Sequence, residues 1–206
     1  PIPLGPPILW PEIAALSIPS LWKSNFSLAT ACTTSEWNKI SGFTIINSDI
    51  DCVWNVISTP SILEKTHPYC KKNSVQSWDK VNSKDTILYY NGMRLNRIFT
   101  EWTEKKGYSL IIGNNKIATA IVEWNLEPIT LIKTKLSIDI YVFPDIALQK
   151  YSLVLRTIIK NVYFLPYMRH YIRTVCTGFR YHIETGNIVK KNQFGFNPLF
   201  STKTNK

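Results

Sequence analysis

The chain has 206 residues, of which 45% are hydrophobic and 18% are charged. A chain of this length and composition can bury one well-packed core, is marginal for two independent domains, and is too apolar to be intrinsically disordered. The net charge is +10, but the lysines and arginines are dispersed along the sequence. Because nucleic-acid grooves concentrate their cations, this dispersion favours a solvated basic surface and predicts no nucleic-acid partner.

Residues 1–21 are apolar and rich in proline, unlike the rest of the chain. Proline lacks a backbone donor and interrupts helices, so this stretch does not predict a membrane-spanning helix, and it has no basic start typical of a signal peptide. Residues 1–38 are interpreted as an N-terminal extension, either a processed or foreign leader or an arm packed on the domain. Four cysteines without a Cys-x-x-Cys pair favour a reduced, cytoplasmic protein.

From residue 40 onward the sequence predicts a strand, short helices and then a run of strands. Residues 41–47 predict the first strand, and Ser48 or Asp49 can cap a following helix that Thr59-Pro60 ends. Residues 61–65 can form one more helical turn before Pro68. Turn signals at Asn91-Gly92 and Lys106-Gly107 separate the later strands. These are predicted at residues 74–81, 86–91, 95–103, 108–112, 118–127 and 131–143. The pattern is typical of an antiparallel meander of about seven strands.

Residues 145–183 have the period of a long amphipathic helix. Its apolar stripe predicts a lid over the dry face of the sheet, and Pro166 is expected to kink or divide it. The stripe consists of Ala147, Tyr151, Val154, Ile158, Val162, Leu165, Met168, Ile172, Val175 and Phe179. A curved sheet closed by one helix is difficult to fill completely, so this arrangement predicts a cavity.

The sequence contains none of the common catalytic or phosphate-binding motifs. His67 and Cys70 are spaced as half of a metal site, but a turn in which His67 makes a local hydrogen bond is the favoured interpretation, and no metal or cofactor is predicted. Arg97 could orient a ligand inside a cavity or pair with Glu101 on the surface, since period two puts Arg97, Phe99 and Glu101 on one face and Trp102 on the other.

Several motifs resemble the START-like, polyketide-cyclase-like (SRPBCC) superfamily with the helix-grip fold. They are Val53-Trp54-Asn55-Val56-Ile57-Ser58, His67-Pro68-Tyr69, Trp102 followed by Gly107-Tyr108, and Trp124-x-Leu126. The C-terminal Gly178-Phe179-Arg180-Tyr181-His182 and Asn192-Gln193-Phe194-Gly195 resemble a bacterial branch of this superfamily. The resemblance implies an α+β helix-grip domain over residues 39–186, followed by a tail at 187–206. It also implies an internal cavity for lipids, polyketides or aromatic metabolites.

Two functions follow from such a cavity. The leading hypothesis is a carrier or sensor that binds a small hydrophobic ligand, and the alternative is a cyclase- or dehydratase-like enzyme in which His67, Tyr69 or Arg97 assists proton transfer. No catalytic residue is assigned. The predicted ligand-binding residues are Trp54, His67, Tyr69, Arg97, Trp102, Val122, Trp124, Ile138, Tyr151, Ile158 and Met168. A third hypothesis, attachment to a membrane surface or nucleic acid through the basic surface, predicts binding that weakens steeply with salt.

Overall fold

A computed structural model describes residues 38–114, 118–142 and 152–203 of the chain. The strands are β1 (Asn38–Ile46), β2 (Cys70–Ser77), β3 (Lys84–Tyr89), β4 (Arg94–Thr103), β5 (Gly107–Gly113), β6 (Ala118–Thr130) and β7 (Lys133–Val142). The helices are α1 (Ile50–Ile57), α2 (Leu63–Thr66), α3 (Leu153–Ile158) and α4 (Leu165–Thr185), and a π-helical segment, Ile159–Phe164, joins α3 to α4.

The strands form one antiparallel sheet in the order β1-β7-β6-β5-β4-β3-β2. Strands β2 to β7 are sequential neighbours, whereas β1 lies beside β7 at the far edge. Helix α4 packs on the inner face and buries Met168, Ile172, Val175 and Phe179, which confirms this half of the predicted stripe. The arrangement confirms the α+β helix-grip fold that the sequence predicts.

Helix α1 begins as its sequence predicts. The Asp49 carboxylate accepts a hydrogen bond from the Cys52 amide at 2.8 Å, which satisfies one of the donors that a helix leaves free at its start. Val53, Trp54 and Ile57 then point into the core. The short helix α2 follows, and its end lies against α4 at Gly178. A β-carbon there would lie 2.1 Å from the Thr66 carbonyl oxygen, so glycine permits this close packing.

Strand β4 differs from its predicted alternation. Its register against β5 shifts between Phe99 and Glu101, so one residue is inserted and the faces exchange beyond it. Glu101 consequently lies at the exposed surface, while Trp102 turns inward, 5.6 Å from the Phe99 ring. Of the two arrangements predicted for Arg97, the surface pair with Glu101 is wrong, because Arg97 lies directly opposite Asp85 on β3 and is buried with it.

The C-terminal helix continues from α3 through the π-helical segment into α4, so Pro166 does not divide it. The helix changes to π-helical hydrogen bonding directly before the proline instead, which is a common irregularity at such positions. The two parts differ in burial, since α3 and the π-helical segment bury no residue and Val154, Ile158 and Val162 are exposed. Tyr151 and the rest of residues 143–151 lie outside the described residues.

Residues 187–203 pack on the domain. The Val189 amide donates to the Lys65 carbonyl at 2.9 Å, and the Asn192 amide donates to the Pro68 carbonyl at 3.0 Å. The Asn91 side chain donates to the Leu199 carbonyl at 2.8 Å, and Phe200 is buried in the core. This segment therefore completes the interior next to α4.

Candidate functional site: an apolar cavity with a hydroxyl pair

A cavity of about 390 Å³ lies between the inner face of the sheet and α4. This volume is within the range of sites that hold a drug-sized molecule. Its wall is apolar apart from a few side-chain groups. The lining residues are Tyr89, Met93, Leu95, Ile112, Asn114, Ala118, Thr119, Ala120, Val122, Ile140, Val142, Phe164, Met168, Tyr171, Leu199 and Phe200.

The cavity exists because the inward side chains of β6 are small at one end and large at the other. Ala118, Ala120 and Val122 face the cavity, whereas Trp124 and Leu126, further along the same face, pack in the core. The alanine side chains are too short to contact α4 across the gap between the sheet and the helix. The side-chain size along one strand thus decides which end of the interior stays hollow.

The other end of the interior is filled by aromatic rings. Neighbouring centroids in this cluster lie 5.0 to 6.5 Å apart, within the range of favourable edge and stacked contacts. The cluster consists of Trp54, Trp78, Phe99, Trp102, Tyr108, Trp124 and Phe179. These residues form a solid core beside the cavity.

A chain of hydrogen bonds runs from the His67 turn to the cavity wall. The Tyr69 amide donates to His67 Nδ1 at 3.1 Å, so in the neutral ring the proton lies on Nε2. That nitrogen is 3.0 Å from the Tyr171 hydroxyl, which is 3.2 Å from the Tyr89 hydroxyl. Burial lowers the pKa of His67 to about 3, with the nearby Arg97 charge adding to the effect. The imidazole is therefore neutral at physiological pH.

The two tyrosines are also buried, which disfavours their ionised forms. Burial raises the pKa of Tyr89 to about 12 and that of Tyr171 well above its usual value. Both hydroxyls therefore keep their protons and can act as hydrogen-bond donors. Tyr89 and Tyr171 line the cavity, with Phe200 packed against both rings.

Arg97 and Asp85 form a buried ion pair close to this chain. Arg97 Nε donates to Asp85 Oδ1 at 2.6 Å, and Nη2 donates to Oδ2. Arg97 borders a second cavity of about 30 Å³, which His67 and Tyr171 also line. That volume accommodates about one water molecule and is too small for an organic substrate.

The structure brings some of the predicted ligand-binding residues together and separates others. Val122 and Met168 line the larger cavity, and His67, Arg97, Val122, Trp124 and Ile138 line the smaller one. Trp54 and Trp102 belong to the aromatic cluster. The Tyr69 ring stacks on the Tyr171 ring. Ile158 is 51% exposed, and Tyr151 lies outside the described residues. The binding role of each remains a prediction.

Four residues that line the cavity are absent from the predicted ligand-binding set: Ala118, Ala120, Tyr171 and Phe200. The alternation along β6 identifies the two alanines as inward-facing, and their small size next to Trp124 was the signal for a hollow. Tyr171 is three residues from Met168 on the same helical face, a spacing that also identifies it. Phe200 belongs to the tail, where no periodic pattern indicates burial.

The His67 turn has the local hydrogen bond that the sequence favours, from the Tyr69 amide to His67 Nδ1.

Among the described residues, no group of three or more His, Cys, Asp or Glu side chains is arranged to hold a metal ion. In the same ranges of the chain, none of the helices combines the length and the apolar character needed to cross a membrane.

Comparison with solved structures supports the fold. The chain is similar to SA2116, a protein of unknown function from Staphylococcus aureus, with a TM-score of 0.57 and 13% identity over 75% of this chain and 98% of that one. It is also similar to the Aha1 dimer from Colwellia psychrerythraea, with a TM-score of 0.53 and 12% identity over 72% and 98% of the two chains.

A third similar structure is DynU16, encoded in the dynemicin biosynthetic locus, with a TM-score of 0.50 and 10% identity over 75% of this chain and 51% of that one. At these identities the likeness concerns the fold alone. No protein-family profile and no curated protein sequence matches the chain.

Proposed function

We propose that this protein binds a small hydrophobic ligand in the cavity between its sheet and α4, as a carrier or sensor of the START-like superfamily, in the cytoplasm. The observation that carries the proposal is the apolar cavity of about 390 Å³. A ligand that buries about 300 Å² of apolar surface gains about 7.5 kcal/mol from the hydrophobic effect. Micromolar binding corresponds to about 8 kcal/mol, so apolar burial supplies most of such an affinity without a charged anchor.

The internal bonds of the candidate catalytic groups support binding over catalysis. Both ring nitrogens of His67 are occupied by hydrogen bonds within the protein, and its lowered pKa makes it a poor base at neutral pH. The Arg97 guanidinium is held by Asp85. The Tyr69 hydroxyl donates to the Gly195 carbonyl at 3.0 Å. These groups therefore support a structural role around the cavity.

The proposal is tested by extracting the native ligand. Protein purified without detergent is denatured in organic solvent, and the extract is compared by mass spectrometry with that of an Ala120→Phe variant, whose new ring fills the cavity. A neutral apolar metabolite, enriched with the unmodified protein and depleted with the variant, is the expected result. Recovery of nothing, together with no thermal stabilisation by lipids or aromatic compounds, would refute the proposal.

A further inference from the structure

Tyr89 and Tyr171 carry two phenol hydroxyls at the cavity wall, and the donors and acceptors of this hydroxyl pair can be assigned one by one. The only partners of these hydroxyls among the described residues are His67 and each other. His67 Nδ1 accepts a bond from a backbone amide, so the neutral ring has its proton on Nε2 and donates it to the Tyr171 oxygen. The direction of this first bond is therefore fixed.

The number of protons exceeds the number of bonds within this group. One imidazole N–H and two phenol O–H groups provide three donors, while the His67 to Tyr171 contact and the Tyr171 to Tyr89 contact use two of them. If Tyr89 donates to Tyr171, the Tyr171 proton is left over, and if Tyr171 donates to Tyr89, the Tyr89 proton is left over. In both cases one hydroxyl proton remains for another acceptor.

The charges around this spare donor cancel. His67 is neutral, and the Arg97 cation is paired with the Asp85 carboxylate through two hydrogen bonds. A carboxylate ligand would lose its hydration without gaining an unpaired cation, which is costly in an apolar site. A neutral oxygen can accept a hydrogen bond from the spare hydroxyl at a much lower desolvation cost, because it is only weakly hydrated in water.

We propose that the ligand is a neutral apolar molecule whose single carbonyl or ether oxygen accepts a hydrogen bond from the Tyr89–Tyr171 hydroxyl pair. This inference rests on the proposed function and names the ligand class for the same cavity. The apolar remainder of the ligand lies along Ala118, Ala120 and Val122, where no polar group is required.

Three naphthalene derivatives with equal numbers of non-hydrogen atoms test this inference. 2-Acetylnaphthalene has a neutral carbonyl, 2-isopropenylnaphthalene replaces that oxygen with a methylene carbon, and 2-naphthoate has a charged carboxylate. Their affinities are measured by displacement of a neutral fluorescent reporter at physiological salt. A buried hydrogen bond between neutral groups contributes about 0.5 to 1.5 kcal/mol, so the ketone is expected to bind roughly two- to thirteenfold more tightly than the alkene. The naphthoate is expected to bind most weakly.

Variants locate the donor. The double substitution Tyr89→Phe with Tyr171→Phe removes both hydroxyls and is expected to abolish the preference for ketone over alkene. Tyr89→Phe alone leaves the Tyr171 proton as the spare donor, so the preference is expected to persist. Tyr90→Phe is the matched control, since the adjacent Tyr90 ring lies under the Lys191 ammonium at 5.2 Å and not in the cavity wall. A far-ultraviolet circular dichroism spectrum equal to that of the unmodified protein shows that the double variant is folded.

The outcomes separate this inference from the proposed function. Equal affinities for ketone and alkene, or a preference that survives in the double variant, would overturn the inference and leave hydrophobic binding intact. Tighter binding of the naphthoate than of the ketone would also overturn it. Failure of all three compounds to bind would overturn the proposed function together with the inference.

Discussion

Replacing Asp85 with asparagine tests whether the buried ion pair neutralises the interior beside the cavity. The Asp85 side chain is 0% exposed and that of Arg97 is 5% exposed. The asparagine side chain would keep the shape of the carboxylate but remove its charge, so Arg97 would remain buried without a counter-ion. Burial of an unpaired charge of this kind typically lowers the free energy of unfolding by about 3 to 5 kcal/mol.

The chain contains a matched control pair at the surface. Lys135 Nζ lies 3.0 Å from Glu127, but these side chains are 37% and 68% exposed. Exposed pairs contribute about 0 to 1 kcal/mol because water and salt screen the charges. Glu127→Gln therefore makes the same chemical change as Asp85→Asn in a solvated setting.

Urea denaturation measures the difference. With a slope of about 2 kcal/mol per M, Asp85→Asn should lower the midpoint by roughly 1.5 to 2.5 M, and Glu127→Gln by less than about 0.5 M. The double variant Asp85→Leu with Arg97→Met, which replaces the pair by apolar side chains, should recover most of the loss. Equal effects of Asp85→Asn and Glu127→Gln would show that water screens Arg97 inside the fold and that the buried pair does not neutralise the interior.

Two further predictions concern the packing and protonation of the His67 turn. Gly178→Ala should lower the free energy of unfolding by about 1 to 3 kcal/mol, because the new β-carbon would lie 2.1 Å from the Thr66 carbonyl oxygen. Arg173→Ala changes an exposed position of the same helix and should alter the free energy of unfolding much less in the same urea titration. Burial lowers the pKa of His67 to about 3 in the folded protein, compared with about 6.5 in the unfolded chain. Between about pH 6.5 and pH 3 the unfolded chain therefore binds a proton that the folded protein does not, and the stability of the fold decreases as the pH falls. The difference in unfolding free energy between the unmodified protein and a His67→Gln variant should shrink by about 2 kcal/mol between pH 7.5 and pH 5; a constant difference would show that His67 is not held neutral.

The local elements of this fold could be predicted because their signals are local. Asn91-Gly92 predicts the turn between β3 and β4, and Gly92 has the positive φ of 89° that such turns require. Asp49 precedes an apolar helical pattern and caps α1. Alternation along β6 and β7 predicts which face is buried, because successive strand residues point to opposite sides.

Strand β4 shows where periodicity fails. A rule of period two places Arg97 and Glu101 on one face, but a single inserted residue after Phe99 reverses the alternation. The residues on either side of a bulge look the same in sequence as those of a regular strand. The pairing of Arg97 with Glu101 was therefore wrong. Its true partner, Asp85, lies on the neighbouring strand, and only the strand register identifies it.

The polar part of the site depends on long-range contacts. His67 and Tyr171 are separated by 104 positions, and Tyr89 and Tyr171 by 82, so no local pattern joins them. Phe200 reaches the same cluster from the C-terminal tail. The sequence thus predicts a cavity in this type of fold, whereas its position depends on the size of side chains that only the folded chain brings face to face.

Titration of a neutral fluorescent dye tests most directly whether the interior holds a guest. N-Phenyl-1-naphthylamine is added to the unmodified protein, to Ala120→Phe, which fills the cavity from β6, and to Asn125→Phe, which adds the same ring to the exposed outer face of that strand. We expect micromolar binding to the unmodified protein and to Asn125→Phe, and binding weakened by roughly tenfold or more, about 1.4 kcal/mol, to Ala120→Phe. Equal affinity for all three proteins, or no binding to the unmodified protein, would contradict this expectation.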